Sequence, residues 1–369
     1  MFNDILYAIA LTQMRGIGPS TARRMCSQAG DARVVMENHN RLRDILPDAS
    51  DQLVALMADT SEAMEKAKRE MEFMEGKRVK CLTFQDDDYP QRLLECDDAP
   101  LVLYFCGNAD LNASKVISMV GTRRCTPYGR DMCRRLVEEM KELMPDVLIV
   151  SGLAYGIDVC CHRESLRMGL PTVGVLAHGL DMLYPRTHRE TAVEMVKNGG
   201  LLTEYPSQTK MDKGLFVQRN RIVAGLCDAT IVVESAEKGG SLITANLAHG
   251  YEREVLAVPG RVTDDMSKGC NRIIQNDLAH AIRNAEDMAR LMGWNTELKK
   301  EAKQGELFVQ LTSAQQKVVD CMRGQAPMMT NQIVTATGLP FSEVSIVLFE
   351  LENMRLVEFA GGGRYLLRV

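Results

Sequence analysis

No apolar run in the 369 residues approaches the roughly 20 needed to cross a bilayer, so no membrane insertion is expected. The first 16 residues, MFNDILYAIALTQMRG, carry Asp4 where a secretory leader wants Lys or Arg, and no small-residue cleavage site follows; this predicts a cytoplasmic protein. The 11 cysteines include no CxxC pair and have no histidine cluster beside them. Reduced, mostly buried thiols are therefore expected rather than a disulfide framework or a structural zinc. An excess of positive charge is missing too: 44 Lys and Arg against 49 Asp and Glu give a net charge of −5. The overall field does not draw such a chain to nucleic acid, so any polyanion must meet a local basic patch. Nor is there a GxxxxGK[ST] P-loop, a GxGxxG fingerprint, a Ser-His-Asp or Cys-His grouping, or a paired-carboxylate motif. The reading is of no catalytic residue, no metal and no cofactor.

What is present is ample core material. With 46% hydrophobic and 25% charged residues the chain makes two or three domains, and disorder, collagen and coiled coil are excluded. Residues 1–75 read as a helical domain, with apolar positions at helical spacing. Inside it Gly16-Ile17-Gly18 followed by Arg23 and Arg24 has the form of a helix-hairpin-helix. Its free amides could hold a phosphate, although such hairpins work in pairs and no second one is seen; a tight turn is the alternative. Residues 76–112 are an extended lead-in with strand-like 79–84 and 101–105, and Asp86-Asp87-Asp88 between them reads as a solvated turn rather than a metal site.

From about residue 115 strand candidates begin at 115, 147, 171, 201, 229 and 254, which is 32, 24, 30, 28 and 25 residues apart. That is the period of βα units, and near-continuous apolar strands mean that both faces of the sheet are covered. Residues 128–144 put Met132, Leu136, Met140 and Leu143 on one helical face. Residues 76–292 thus read as a Rossmann-like, doubly wound, mostly parallel sheet. Residues 293–312 are polar and read as a linker. The remaining 313–369 hold helices near 314–323, 330–336 and 341–354 and a Gly361-Gly362-Gly363 hairpin, the pattern of a winged helix.

Four loops carry the chemistry. After the first parallel strand, Gly121-Thr122-Arg123-Arg124 offers a close backbone approach, a hydroxyl and two guanidinium groups, well suited to a phosphate. After the second, Ser151-Gly152 through Gly156 opens a helix on small residues, a nest of amides that favours anions. Lys213, Phe216, Arg219, Asn220 and Arg221 form the most informative stretch: three cations and an aromatic within nine residues of an acidic chain. Cations neutralise phosphates and a Phe stacks on a base of any identity, so this combination suits single-stranded nucleic acid better than duplex. The alternative is that Phe216 is core and that Arg219 or Arg221 is a structural ion pair. Gly239-Gly240-Ser241 opens another helix with an anion-friendly terminus that Ser241 can cap. His178 has no nucleophile or metal partner in sequence and is given no catalytic role.

In order and spacing, GTR at 121–123, SGLAYGID at 151–158, GLD..YP at 179–185, TEYP at 203–206, F.QRNR at 216–221, GSLITANLA at 240–248 and VPG at 258–260 resemble the DNA-processing protein A family, also called DprA or Smf. The likeness covers nearly the whole chain, including the helical N-terminal domain (helix-hairpin-helix, SAM-like) and the winged helix. It implies a protein without enzymatic activity that binds single-stranded DNA in natural transformation, protects it and helps load a RecA-type recombinase. It also implies a homodimer through the Rossmann-like domain, with the strand touching Gly121, Thr122, Arg123, Lys213, Phe216, Arg219 and Arg221 beside the glycine loops. For the dimer, Ile273, Ile274 and Gln275 are the candidates; one isoleucine packs inside while the other faces a partner, or both are core. The chain departs from the pattern at Tyr155, where the family usually has Arg, at His188 for Asn, at Val217 for Pro and at Gly239 for Ser. A related Rossmann-like group cleaves nucleoside monophosphates at the glycosidic bond with a PGGxGTxxE loop, but Pro259-Gly260-Arg261 here lacks that loop and its Glu. The third helix of the winged module carries Glu343, Glu350 and Glu352 and no cation before Arg355, which argues against reading DNA.

Overall fold

Apolar, β-branched runs become strands wherever both faces can be covered. In the computed structural model, which describes residues 2–294, 311–323, 327–354, 356–361 and 363–367, the strands are β1 (Lys80–Thr83), β2 (Val102–Gly107), β3 (Val116–Gly121), β4 (Leu148–Ser151), β5 (Thr172–Val175), β6 (Gly199–Thr203), β7 (Ala229–Glu234), β8 (Glu254–Ala257) and β9 (His280–Ala281). They form one sheet in the order β1-β2-β6-β5-β4-β3-β7-β8-β9. The pairs from β6 to β9 are parallel, while β2 is antiparallel to β6 and β1 to β2. The extended lead-in thus completes the sheet as an antiparallel edge. β9 is not legible from the pattern, because its two residues are both exposed.

Alternate residues of the central strands feed two cores. Val116, Val120, Leu148 and Val150 join Ile222 and Val223 of helix Lys213–Gly225 on one face. On the other, Ile117, Met119, Ile149 and Ile231 pack on Met132, Cys133, Leu136, Val137 and Met140 of helix Pro127–Leu143. The alternation is the period-2 geometry of a strand with helices on both sides.

The chain divides into two compact units, Met1–Thr296 and Glu297–Val369. In the first, helices Phe2–Thr12, Pro19–Ala29, Asp51–Met57 and Ser61–Glu75 close over a core that also takes Leu101, Val102 and Tyr104. Arg23 donates to the carbonyls of Leu94, at 2.6 Å, and Cys96. One of the two cations after the Gly16-Ile17-Gly18 turn therefore fastens the helical segment to the lead-in. Asp86 closes its own turn by accepting from the Thr83 amide at 2.6 Å and hydroxyl at 2.9 Å. All 11 thiols are free, six buried and five half-buried.

In the second unit, helices Ser313–Met322, Thr330–Thr337 and Phe341–Asn353 pack through Val318, Val319, Ile333, Val344, Val347, Leu348 and Leu351 against β10 (Met328–Met329), β11 (Val357–Gly361) and β12 (Arg364–Leu367), in sheet order β10-β12-β11. This is the winged helix of the sequence reading. Most of the expected linker, together with Arg355, Gly362 and Arg368, lies outside the described residues.

Candidate nucleic-acid interface

The chain runs from β3 outward through β4 and β5 to β6, then returns to β7 on the opposite side of β3. At such a reversal the loops leaving the carboxyl ends splay apart and open a crevice. Here it is a cleft of about 620 Å³, lined by Gly121–Arg123, Gly152, Ala154, Asp158, Tyr184, residues 211–213, Phe216, Arg219, Asn220 and residues 238–241 among others.

Its walls are held by buried polar groups. Glu234, at the end of β7, is 2% exposed and accepts from the Thr126 amide at 2.8 Å and hydroxyl at 2.6 Å, while its carbonyl accepts from the Thr122 amide at 2.7 Å. These bonds fix the loop that carries Arg123. Arg219 is buried in the floor, donating to the carbonyls of Gly152, at 2.6 Å, and Val175. Burial is the main influence raising the carboxyl pKa of Asp158 beside it, and the Arg219 guanidinium opposes that shift. A side chain at Gly152 would have no room: its Cβ would stand 2.5 Å from Arg219 Nη2 and 2.7 Å from Asp158 Oδ2. Arg219 is thus a floor group that ties β5 to the loop after β4.

The rim is different. Arg123, Lys213 and Lys238 are exposed and none forms an ion pair among the described residues. Helix Gly240–Gly250 has no side-chain cap, because its N-cap residue is Gly239 and the Ser241 hydroxyl, inside the first turn, donates to Ser235 Oγ at 3.0 Å. Its first amides and the positive end of its dipole are left to the cleft. Asp212 caps helix Lys213–Gly225 through the Gly214 amide at 2.6 Å and is the rim's own carboxylate. Phe216 belongs to none of the apolar cores; its half-buried ring lies 5.9 Å from the Arg123 guanidinium and meets Tyr184 edge to face at 5.7 Å.

Of the twelve residues singled out for the strand, ten line this cleft: Gly121, Thr122, Arg123, Gly152, Lys213, Phe216, Arg219, Asn220, Gly240 and Ser241. Ser151 does not, since its buried hydroxyl donates to the Met119 carbonyl at 2.6 Å inside the sheet. Nor does Arg221. Two residues beyond Arg219 on the same helix is about 200° around the axis, and there Arg221 pairs with Glu204 and reaches the Asp98 carbonyl, its side chain 11% exposed. Ile273 is buried in the short helix Lys268–Gln275, Ile274 is half-buried against the same core, and Gln275 is exposed. The sequence reading did not pick out Lys238 and Tyr184 as site residues, although Tyr184 belongs to the YP motif at 179–185 and Lys238 directly precedes Gly239. His178 is structural, with Nδ1 donating to the Gly179 carbonyl at 2.9 Å and Nε2 accepting from the Tyr184 amide at 3.2 Å.

The sequence profile described as DNA recombination-mediator protein A matches residues 80–293, and that described as the DprA winged helix domain matches 307–363. The chain belongs to the DNA recombination-mediator protein A family. It is 40% identical over 211 residues to the DNA processing protein DprA of Bacillus subtilis, an alignment covering 57% of this chain and 70% of that one. Its fold matches the X-ray structure of DprA from Streptococcus pneumoniae with a TM-score of 0.67 at 28% identity, over 77% of this chain and 97% of the other. A second match, with a TM-score of 0.53 at 28% identity over 58% and 96% of the two chains, is DNA processing protein A from Helicobacter pylori, whose structure is described by its single-stranded DNA binding mode. Within the family pattern, the departures at Tyr155 and His188 meet: the two rings pack edge to face, centroids 5.1 Å apart.

Proposed function

We propose that the chain binds single-stranded DNA along the rim of this cleft without sequence preference or catalytic turnover, protects it and passes it to a RecA-type recombinase during recombination and natural transformation. One observation carries the reading: three cations with no ion pair among the described residues, a half-buried aromatic outside the cores and an uncapped helix terminus converge on one crevice in a chain of net charge −5. Phosphates match the cations and the helix amides, and a base of any identity matches Phe216. The single-stranded DNA named for the Helicobacter pylori relative agrees with it. In titrations at several salt concentrations, a single-stranded oligomer should bind with a log–log salt slope near −2, about −0.7 for each of three neutralised phosphates. Duplex of the same length, its bases stacked away, should bind more weakly; equal binding would sink the reading.

The winged module is not the DNA reader in this proposal. Helix Phe341–Asn353 turns Ile346 and Phe349 outward, 60% and 65% exposed, with Glu343, Glu350 and Glu352 on the same helix. The carboxylates there repel a phosphate backbone and the apolar groups give it no charge to pair with. A chain ended after residue 294 should keep the strand affinity of the full protein. A homodimer would double the basic rim; light scattering at micromolar concentration should give twice 41.1 kDa, and a single-chain mass would count against it.

A further inference from the structure

We propose that Tyr155 is a second base-stacking platform, taking the base next to the one on Phe216, with Arg123 on the phosphate between them. This rests on the strand-binding reading and adds a subsite outside the cleft. Tyr155 stands in the loop after β4 with 45% of its surface exposed, so its ring is open to a ligand. The ring does not hang free. Its edge-to-face partner His188 is 3% exposed, with Nδ1 donating to the Leu153 carbonyl at 2.9 Å. Leu153 in turn adopts a left-handed φ of 53°, which a leucine holds only under the constraint of its surroundings. A buried, hydrogen-bonded imidazole thus fixes an exposed aromatic, and little rotamer entropy remains to be lost on stacking.

The position is beside the rim. Gly156, the next residue, packs so closely on the loop after β3 that a Cβ would stand 2.1 Å from the Thr122 carbonyl and 2.8 Å from Arg123 Cα. The backbone next to Tyr155 therefore lies against that of Arg123, whose guanidinium is 5.9 Å from the Phe216 ring, and Ala154 on the other side of Tyr155 lines the cleft. Two loops that meet at Arg123 thus each bring one aromatic, which suits two consecutive bases with the cation for the phosphate they share.

The test uses the full chain and dT oligomers carrying one 2-aminopurine, with Tyr155→Phe, Tyr155→Leu and Tyr155→Ala. The Leu and Ala variants should bind about tenfold more weakly at an unchanged salt slope, and the Phe variant should bind as the parent does. The parent and Tyr155→Phe should quench 2-aminopurine more than Tyr155→Leu, whose bulk still packs on His188. If the parent binds and Tyr155→Leu and Tyr155→Ala bind as tightly as the parent, or if Tyr155→Phe loses as much as Tyr155→Ala, the platform is overturned. If the parent itself does not bind dT, the strand-binding reading has failed first.

Discussion

Phe216→Ala and Arg123→Ala will both weaken single-stranded DNA binding, by routes that salt separates. Phe216 offers a base its ring, and stacking is worth about 1–3 kcal/mol per base, so the alanine variant should lose about 5- to 150-fold in affinity at every salt concentration. Its slope of log affinity against log salt should not move, because no counterion is involved. Arg123 is exposed and unpaired, so its loss removes a phosphate contact. That should weaken binding to all sequences alike and flatten the slope by about 0.7. Arg221→Ala is the control. It breaks a buried pair with Glu204, which typically costs about 3–5 kcal/mol of stability, and should leave the salt slope of the folded fraction as it was. Fluorescence anisotropy from low to physiological salt, with urea unfolding of each variant, reads all three. An unchanged slope for Arg123→Ala would place the phosphates elsewhere.

Gly156→Ala should be the most damaging single-methyl change in the loop after β4. Gly156 sits at φ 80°, ψ −124°, a conformation that essentially only glycine adopts. The added Cβ would also lie 2.1 Å from the Thr122 carbonyl oxygen and under 3 Å from Arg123 backbone atoms. Backbone cannot rotate away as a side chain can, and the opposing loop is pinned by Glu234. Strain and overlap together should cost about 3 kcal/mol or more. The folded fraction should also bind single strands more weakly, since the loop that must give way carries Arg123. Gly169→Ala supplies the contrast. It has a similar positive φ of 67° but nothing within 4 Å of its Cβ, so only the conformational cost of about 1–2 kcal/mol remains. Equal urea midpoints for the two variants would show that the loops are not in close contact.

The sequence by itself determined the class of fold and the list of loops. Strands buried on both faces must be continuously apolar, and β3 to β8 announce themselves in that way at the period of βα units. The apolar stripe at Met132, Leu136 and Met140 marked its helix for the same reason, and the winged module was legible because its core face, Val344, Val347, Leu348 and Leu351, repeats at helical spacing. Glycine, Lys and Arg at strand ends told which loops bear on an anion. What the linear pattern does not encode is which way each cation points. Arg219 and Arg221 are two residues apart and alike in sequence, yet one lies under the cleft and the other faces Glu204 on the far side, because a helix turns about 100° per residue and partners from β5, β6 and the lead-in decide which side is which. Lys238 reaches the same rim as Arg123 only because the sheet order sets β7 beside β3, although the two residues are 115 positions apart. The pairing of Tyr155 with His188 likewise joins two loops that meet only in the folded chain. Local periodicity records burial, which each residue experiences alone; a site is made of neighbours, and neighbours are decided by topology.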